Sequence, residues 1–303
     1  MITFPRDSQR RHVEKARRAV TATPAAQRAV YAEAMKVERE MQVYLMASLE
    51  KLQGSVPAGE LARILSAADP AEVYRAFLGG TEALAVQLEM DVAGTVLAGG
   101  ELAAAQLGGI GVLDMGAPKL QAWLREETAQ LVTAVTTGQK EAIRAMVERG
   151  VLQGRHPARL AKDIQQIVGL DARQSSAVSR MREMMLADGK PADAVERAVD
   201  RYSKRLLKRR AQNIAHTESM SALNQGRFQL WGQLADEGVM PADQEHEWLT
   251  GEDERVCPVC EPLDRTTRKL GEPWQVKSGD VTMPPAHPRC RCTTALVLPR
   301  SRR

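Results

Sequence analysis

Residues 257–292 read CPVCEPLDRTTRKLGEPWQVKSGDVTMPPAHPRCRC and hold all four cysteines of a 303-residue chain. The segment opens on Cys257-Pro-Val-Cys260 and closes, after 26 intervening residues, on His287-Pro-Arg-Cys290-Arg-Cys292. A C-x-x-C turn brings two thiolates to one ion, and H-x-x-C repeats that spacing with a borderline donor, which is the pattern of a tetrahedral zinc site. Two ligand sets satisfy the spacing. One is Cys257, Cys260, His287 and Cys290 with Cys292 to spare. The other is the four cysteines, with His287 alongside. Either set is supplied wholly by protein residues, so a closed, structural zinc is expected and no open position for a catalytic water. Short β-segments with few large apolar residues need such a staple.

Working outward, the chain after Gly238 is rich in Pro and Gly and carries brief β-prone runs at Glu247–Thr250, Trp274–Val276 and Thr293–Leu298. Upstream the pattern is helical. Aromatic residues make up only 4% of the chain against 44% hydrophobic overall, a composition that favours helix over β-sandwich. Apolar residues recur at spacings of three and four from Val30 to Leu52, and again from Leu120 to Met146. Further helices are expected around 58–67, 70–79, 157–168 and 171–187, and a long one from Pro191 to about Asp236. The Gly-rich stretch 99–116 contains no phosphate-binding G-x-G-x-x-G and reads as a flexible connector. The expected fold is mainly α: an elongated helical body with a small zinc-stapled, β-containing C-terminal module. The divisions are a basic arm at 1–23, an N-terminal helical region at 24–150, a second helical part at 151–236, and the Cys/His-stapled module at 237–303.

Net charge is +4, and the last third, 201–303, holds 17 basic against 13 acidic residues and so carries all of the surplus. The densest basic run lies on the long helix, where Arg205, Lys208, Arg209 and Arg210 are candidates for sequence-independent contact with DNA phosphates. No membrane segment is expected, since the most apolar stretch, 85–116, is interrupted by Glu89, Asp91, Glu101 and Asp114. No Ser/His/Asp or Cys/His triad, P-loop or H-E-x-x-H motif occurs, so no enzyme is expected. A ββα-metal nuclease would need an Asp-His or His-His pair at its catalytic His. His246 is flanked instead by Glu245 and Glu247, and His12, His156 and His216 read as structural.

The block Arg210-Ala211-Gln212-Asn213-Ile214-Ala215-His216-Thr217-Glu218, followed by Asn224-Gln225-Gly226 and Trp231, resembles the helix signature of the phage head morphogenesis family, which includes the Mu F-like minor head proteins. The stretches Trp248-Leu249-Thr250, Asp253–Cys257 and Pro284-Pro285-Ala286-His287-Pro288-Arg289-Cys290-Arg291-Cys292-Thr293 are similar to it too. On that resemblance the signature positions are Thr217, Glu218, Asn224, Gly226, Trp248 and Asp253. Two positions depart from the family pattern: His216 stands where Arg is usual, and Arg265 where Gly often follows Leu-Asp. The resemblance implies a minor capsid component of the virion, near the portal vertex and assembled in the host cytoplasm. Its partners would be the portal protein, other head proteins and packaged DNA, with a role in head morphogenesis and DNA packaging or ejection. A zinc-binding DNA adaptor and, further off, a metal-dependent nuclease would share the cysteines.

Overall fold

The computed structural model describes residues 24–66, 70–251, 256–277 and 279–297. The basic arm 1–23 and the signature residue Asp253 lie outside the described residues. Eight helices precede the strands: α1 (Pro24–Gly54), α2 (Ala58–Ser66), α3 (Pro70–Ala76), α4 (Leu78–Gln106), α5 (Pro118–Leu152), α6 (Pro157–Ile167), α7 (Ala172–Ala187) and α8 (Ala192–Asp236). Proline at the first helical position pre-sets φ where an N–H would go unbonded, and α1, α3, α5 and α6 all begin that way. Helix α6 is also capped by the His156 ring, which accepts from the Ala158 N–H at 3.3 Å. Asp171 and Gln174 close a reciprocal capping box at the start of α7.

The strands are short: β1 (Glu245–Leu249), β2 (Thr267–Lys269), β3 (Trp274–Val276), β4 (Gly279–Val281) and β5 (Thr293–Leu296). They form an antiparallel sheet in the order β2-β1-β5 and a β3-β4 hairpin. Register pairs His246 with Leu296 and Trp248 with Thr294.

Residue contacts divide the chain into two compact units, Met1–Met41 with Met90–Leu124 and Asn213–Arg303, and Gln42–Glu89 with Arg125–Gln212. The change of texture near 237 therefore marks the end of α8 but not the edge of a unit. The strand module belongs with 213–236 and 90–124 because polar side chains of α8 bond directly to its backbone, as described below.

In the first unit, Val30 and Ala34 of α1 pack on Met220 and Leu223 of α8, with Ala98 and Leu102 of α4 against them. The expectation of a flexible connector at 99–116 is corrected here, since α4 continues through Gly99 and Gly100 to Gln106. Those small residues serve close helix packing: a Cβ on Gly99 would collide with the Leu223 carbonyl oxygen, and one on Gly226 with that of Val96. Gly226, a signature position, is thus glycine so that α4 and α8 can touch backbone to backbone.

In the second unit, α2 packs on α6. The Asp163 carboxylate, 1% exposed, gathers three guanidinium groups. Arg155 donates to it at 2.7 Å, while Arg182 and Arg159 lie 3.0 Å and 3.3 Å away. Glu196 completes the cluster, accepting from Arg182 at 2.6 Å and from Arg159. Burial draws the Arg182 pKa down, and the charges of Asp163 and Glu196 oppose that pull.

Candidate metal centre

The two halves of the Cys/His segment fold into the same turn. Cys260 N–H donates to Cys257 O at 3.0 Å, and Cys290 N–H donates to His287 O at 3.1 Å. The structure brings all five predicted ligand residues together, as two groups that share Cys260: Cys257, Cys260 and His287, and Cys260, Cys290 and Cys292. His287 Nε2 lies 3.0 Å from Cys257 Sγ and 3.2 Å from Cys260 Sγ, and Cys260 Sγ lies 3.8 Å from Cys290 Sγ. Cys260, Cys290 and Cys292 are buried beneath Trp248, Leu263 and Trp274.

Neighbours set the charge of these sulfurs. Hydrogen bonds from the Cys260 and Cys292 side chains, joined by the backbone N–H groups of Cys292 and Ala286, pull the Cys290 thiol down to about 2. Its hydrogen bonds with Cys290 and Cys292, with burial, push Cys260 up. At Cys292 the bond with Cys260 lowers the pKa, but the Cys290 bond, burial and the Cys290 charge raise it to about 12. Burial opposes ionisation of Cys257, yet the N–H groups of Cys260 and Val259 leave it below the ordinary thiol value. The donor chemistry fits a soft or borderline divalent cation. Tetrahedral metal–sulfur bonds of about 2.3 Å imply S···S edges of about 3.8 Å, the Cys260–Cys290 separation.

Helix α8 holds this segment by its backbone. His216 Nε2 meets Cys290 O at 3.2 Å, while its Nδ1 meets Glu38 Oε2 at 2.8 Å. Both ring nitrogens thus face oxygen atoms of other segments, which ties α8 to α1 and to the Cys/His segment. Arg289 N–H donates to Thr217 Oγ1 at 3.1 Å, and the Arg289 guanidinium to Asn213 Oδ1 at 2.7 Å. Asn224 Nδ2 donates to Cys292 O at 3.3 Å and its Oδ1 accepts from Thr293 Oγ1 at 2.6 Å. Beneath them Arg227, 2% exposed, donates to Thr293 Oγ1 at 2.5 Å and to Gln106 at 3.2 Å, with its guanidinium 4.8 Å from the Trp231 ring centre. Burial draws Arg227 down to about 9.

The other predicted residues divide. Thr217, Asn224 and Gly226 face the segment or the helix crossing, and Glu218 is half-buried beside Thr217. Trp248 is fully buried, 5.1 Å from the Trp274 ring centre. Arg265 adopts φ 61°, the left-handed conformation glycine favours. Arg205, Lys208 and Arg209 are exposed on α8. Arg210 is corrected: it is buried and donates to Gly169 O at 2.7 Å and to Val135 O at 3.4 Å, which commits its charge to the protein interior. His246 is buried against Trp274, 4.7 Å between ring centres, and against Phe228 at 5.8 Å. Glu38, Gln106 and Arg227 are contact residues of this region that the sequence reading misses. Neither periodicity nor spacing distinguishes a helix residue that bonds to a distant loop.

These features define a mainly helical protein whose Cys/His turns are clamped to its longest helix by polar residues of that helix. The family described as Phage Mu protein F like protein matches residues 141–295, just over half of the chain. The chain belongs to this bacteriophage head-morphogenesis family. No curated protein and no solved structure matches it. Among the described residues, no helix is long and apolar enough to cross a membrane.

Proposed function

We propose that the protein is a minor head component that acts in assembly, not catalysis, seated at the portal vertex beside the portal protein and other head proteins. The observation that carries this reading is the inward direction of the family signature. Thr217 and Asn224 bind the backbone of the Cys/His segment, and Gly226 lets two helices touch. Side chains used in this way preserve a shape that another surface recognises.

Cys257, Cys260 and Cys290, with His287 or Cys292, would hold a zinc ion whose contribution is cross-linking of strand segments too small to fold on apolar burial alone. The exposed Arg205, Lys208 and Arg209 would meet phosphates of packaged DNA without reading sequence, a contact that weakens steeply with salt. Quantitative mass spectrometry of purified particles, before and after triggered DNA release, tests the reading. A few copies per particle in proportion to the portal protein are expected, and loss on release would add an ejected role. Absence from particles would overturn it.

A further inference from the structure

The end of α8 meets the loop between α4 and α5, where Gln233 binds Val112 O and the Asp114 N–H. An open groove of about 730 Å³ lies there within the first unit. We propose that segment 298–303 of the same chain, which follows the last described residue, is the occupant of this groove.

Three observations carry it. The first is place. Strand β5 leads to Val297, whose N–H donates to Glu245 O at 2.9 Å and whose carbonyl accepts from Gln244 Nε2 at 2.7 Å. The Gln244 carbonyl accepts from Leu270 N–H at 2.9 Å, and Leu270 lines the groove with Ala242. The chain therefore leaves the sheet beside the groove, and six further residues span up to about 20 Å. The second is charge. The rim carries three exposed carboxylates, Asp114, Asp236 and Glu237, against one lysine, Lys119, 3.8 Å from Asp236. Asp114 and Glu237 accept from neutral groups, Gly116 N–H at 2.8 Å and Gln233 Nε2 at 3.0 Å. Helix α8 ends at this rim, and a helix C-terminus favours cations. Residues 298–303 read Leu-Pro-Arg-Ser-Arg-Arg, with three guanidinium groups and no acidic side chain. The third is apolar surface. Leu113, Leu120 and Phe228 line the groove. Leu298 and Pro299 reach it first, so they cover apolar surface while the arginines that follow meet the acidic rim.

Photo-cross-linking of the full-length protein tests the proposal, with benzoylphenylalanine in place of Pro118, an exposed groove residue on α5 far in sequence from Val297. The expected product, mapped by mass spectrometry, is a link to 298–303 within one chain. Its yield should fall as salt rises, and by up to about fivefold with each of Asp236→Asn and Glu237→Gln, the most that an exposed ion pair supplies. Capture of residues 1–23, capture of a second chain in place of the same one, or no capture of 298–303 overturns the proposal. Trypsin gives an independent reading on the unmodified protein. Cleavage after Arg300 should be slower there than in the Asp236→Asn/Glu237→Gln double variant, and equal rates overturn the proposal.

Discussion

Two polar clusters, one in each compact unit, lie within the family-matched span and hold their surroundings by opposite means. Around Asp163 the charges balance among protein groups, since Arg155, Arg159 and Arg182 meet Asp163, Glu183 and Glu196. In the Cys/His centre sulfur and imidazole donors converge, and hydrogen bonds from Cys260 and Cys292 draw the Cys290 thiol below its ordinary range. The first cluster is complete when the chain folds. The second offers donors that could hold a cation. The difference follows from what each has to work with. Helices of 11, 16 and 45 residues supply apolar faces to pack, whereas the module's strands are three to five residues long. On the proposed zinc reading, order in one region is intrinsic and in the other conditional on metal.

The comparison breaks most sharply at Cys260, the sulfur common to both donor groups. Cys260→Ser is expected to abolish metal retention and to erase the near-ultraviolet circular dichroism of the Trp248–Trp274 pair, because structural zinc binding is worth roughly 10–16 kcal/mol. Far-ultraviolet helix content should largely survive. Next is Asp163→Asn, which removes the charge opposite buried Arg182 and should cost about 3–5 kcal/mol in urea unfolding while leaving zinc content unchanged.

His246 gives a smaller, pH-dependent effect. Burial first, and the nearby Arg227 charge second, hold its folded-state value down to about 4 from an ordinary 6.5. The unfolded chain therefore takes up this proton first. The stability it confers is fully present above about pH 6.5 and is lost as pH falls toward 4, by about 3 kcal/mol in total. His246→Phe should flatten that dependence in denaturation midpoints measured across the range. Smallest is Arg265→Gly, which relieves a left-handed residue in the turn and should raise stability by up to about 1 kcal/mol in the same assay.

Much of this was legible in the sequence, for identifiable reasons. Long helices declare themselves by apolar spacing, so α1, α5 and α8 fall close to their expected positions. The donor residues declare themselves by type and spacing, and they do converge. The Gly-rich stretch misled because glycine reads locally as flexibility, while at Gly99 it is required by the Leu223 backbone more than 100 residues away. Arg210 misled in the same way: a run of basic residues suggests one solvated face, but the helical turn rotates Arg210 inward to the Gly169 carbonyl. Glu38, which accepts from His216 across 178 residues, leaves no local trace at all.

The claim that order in the Cys/His module is conditional, while the Asp163 cluster is self-sufficient, is tested most directly by hydrogen–deuterium exchange on the full-length protein with zinc and after chelation. The account predicts that chelation strips protection from 245–249 and 287–296 and loosens the α8 segment 213–227 that bonds to them, while 157–182 exchanges unchanged. Equal protection of the strand module with and without metal would contradict it.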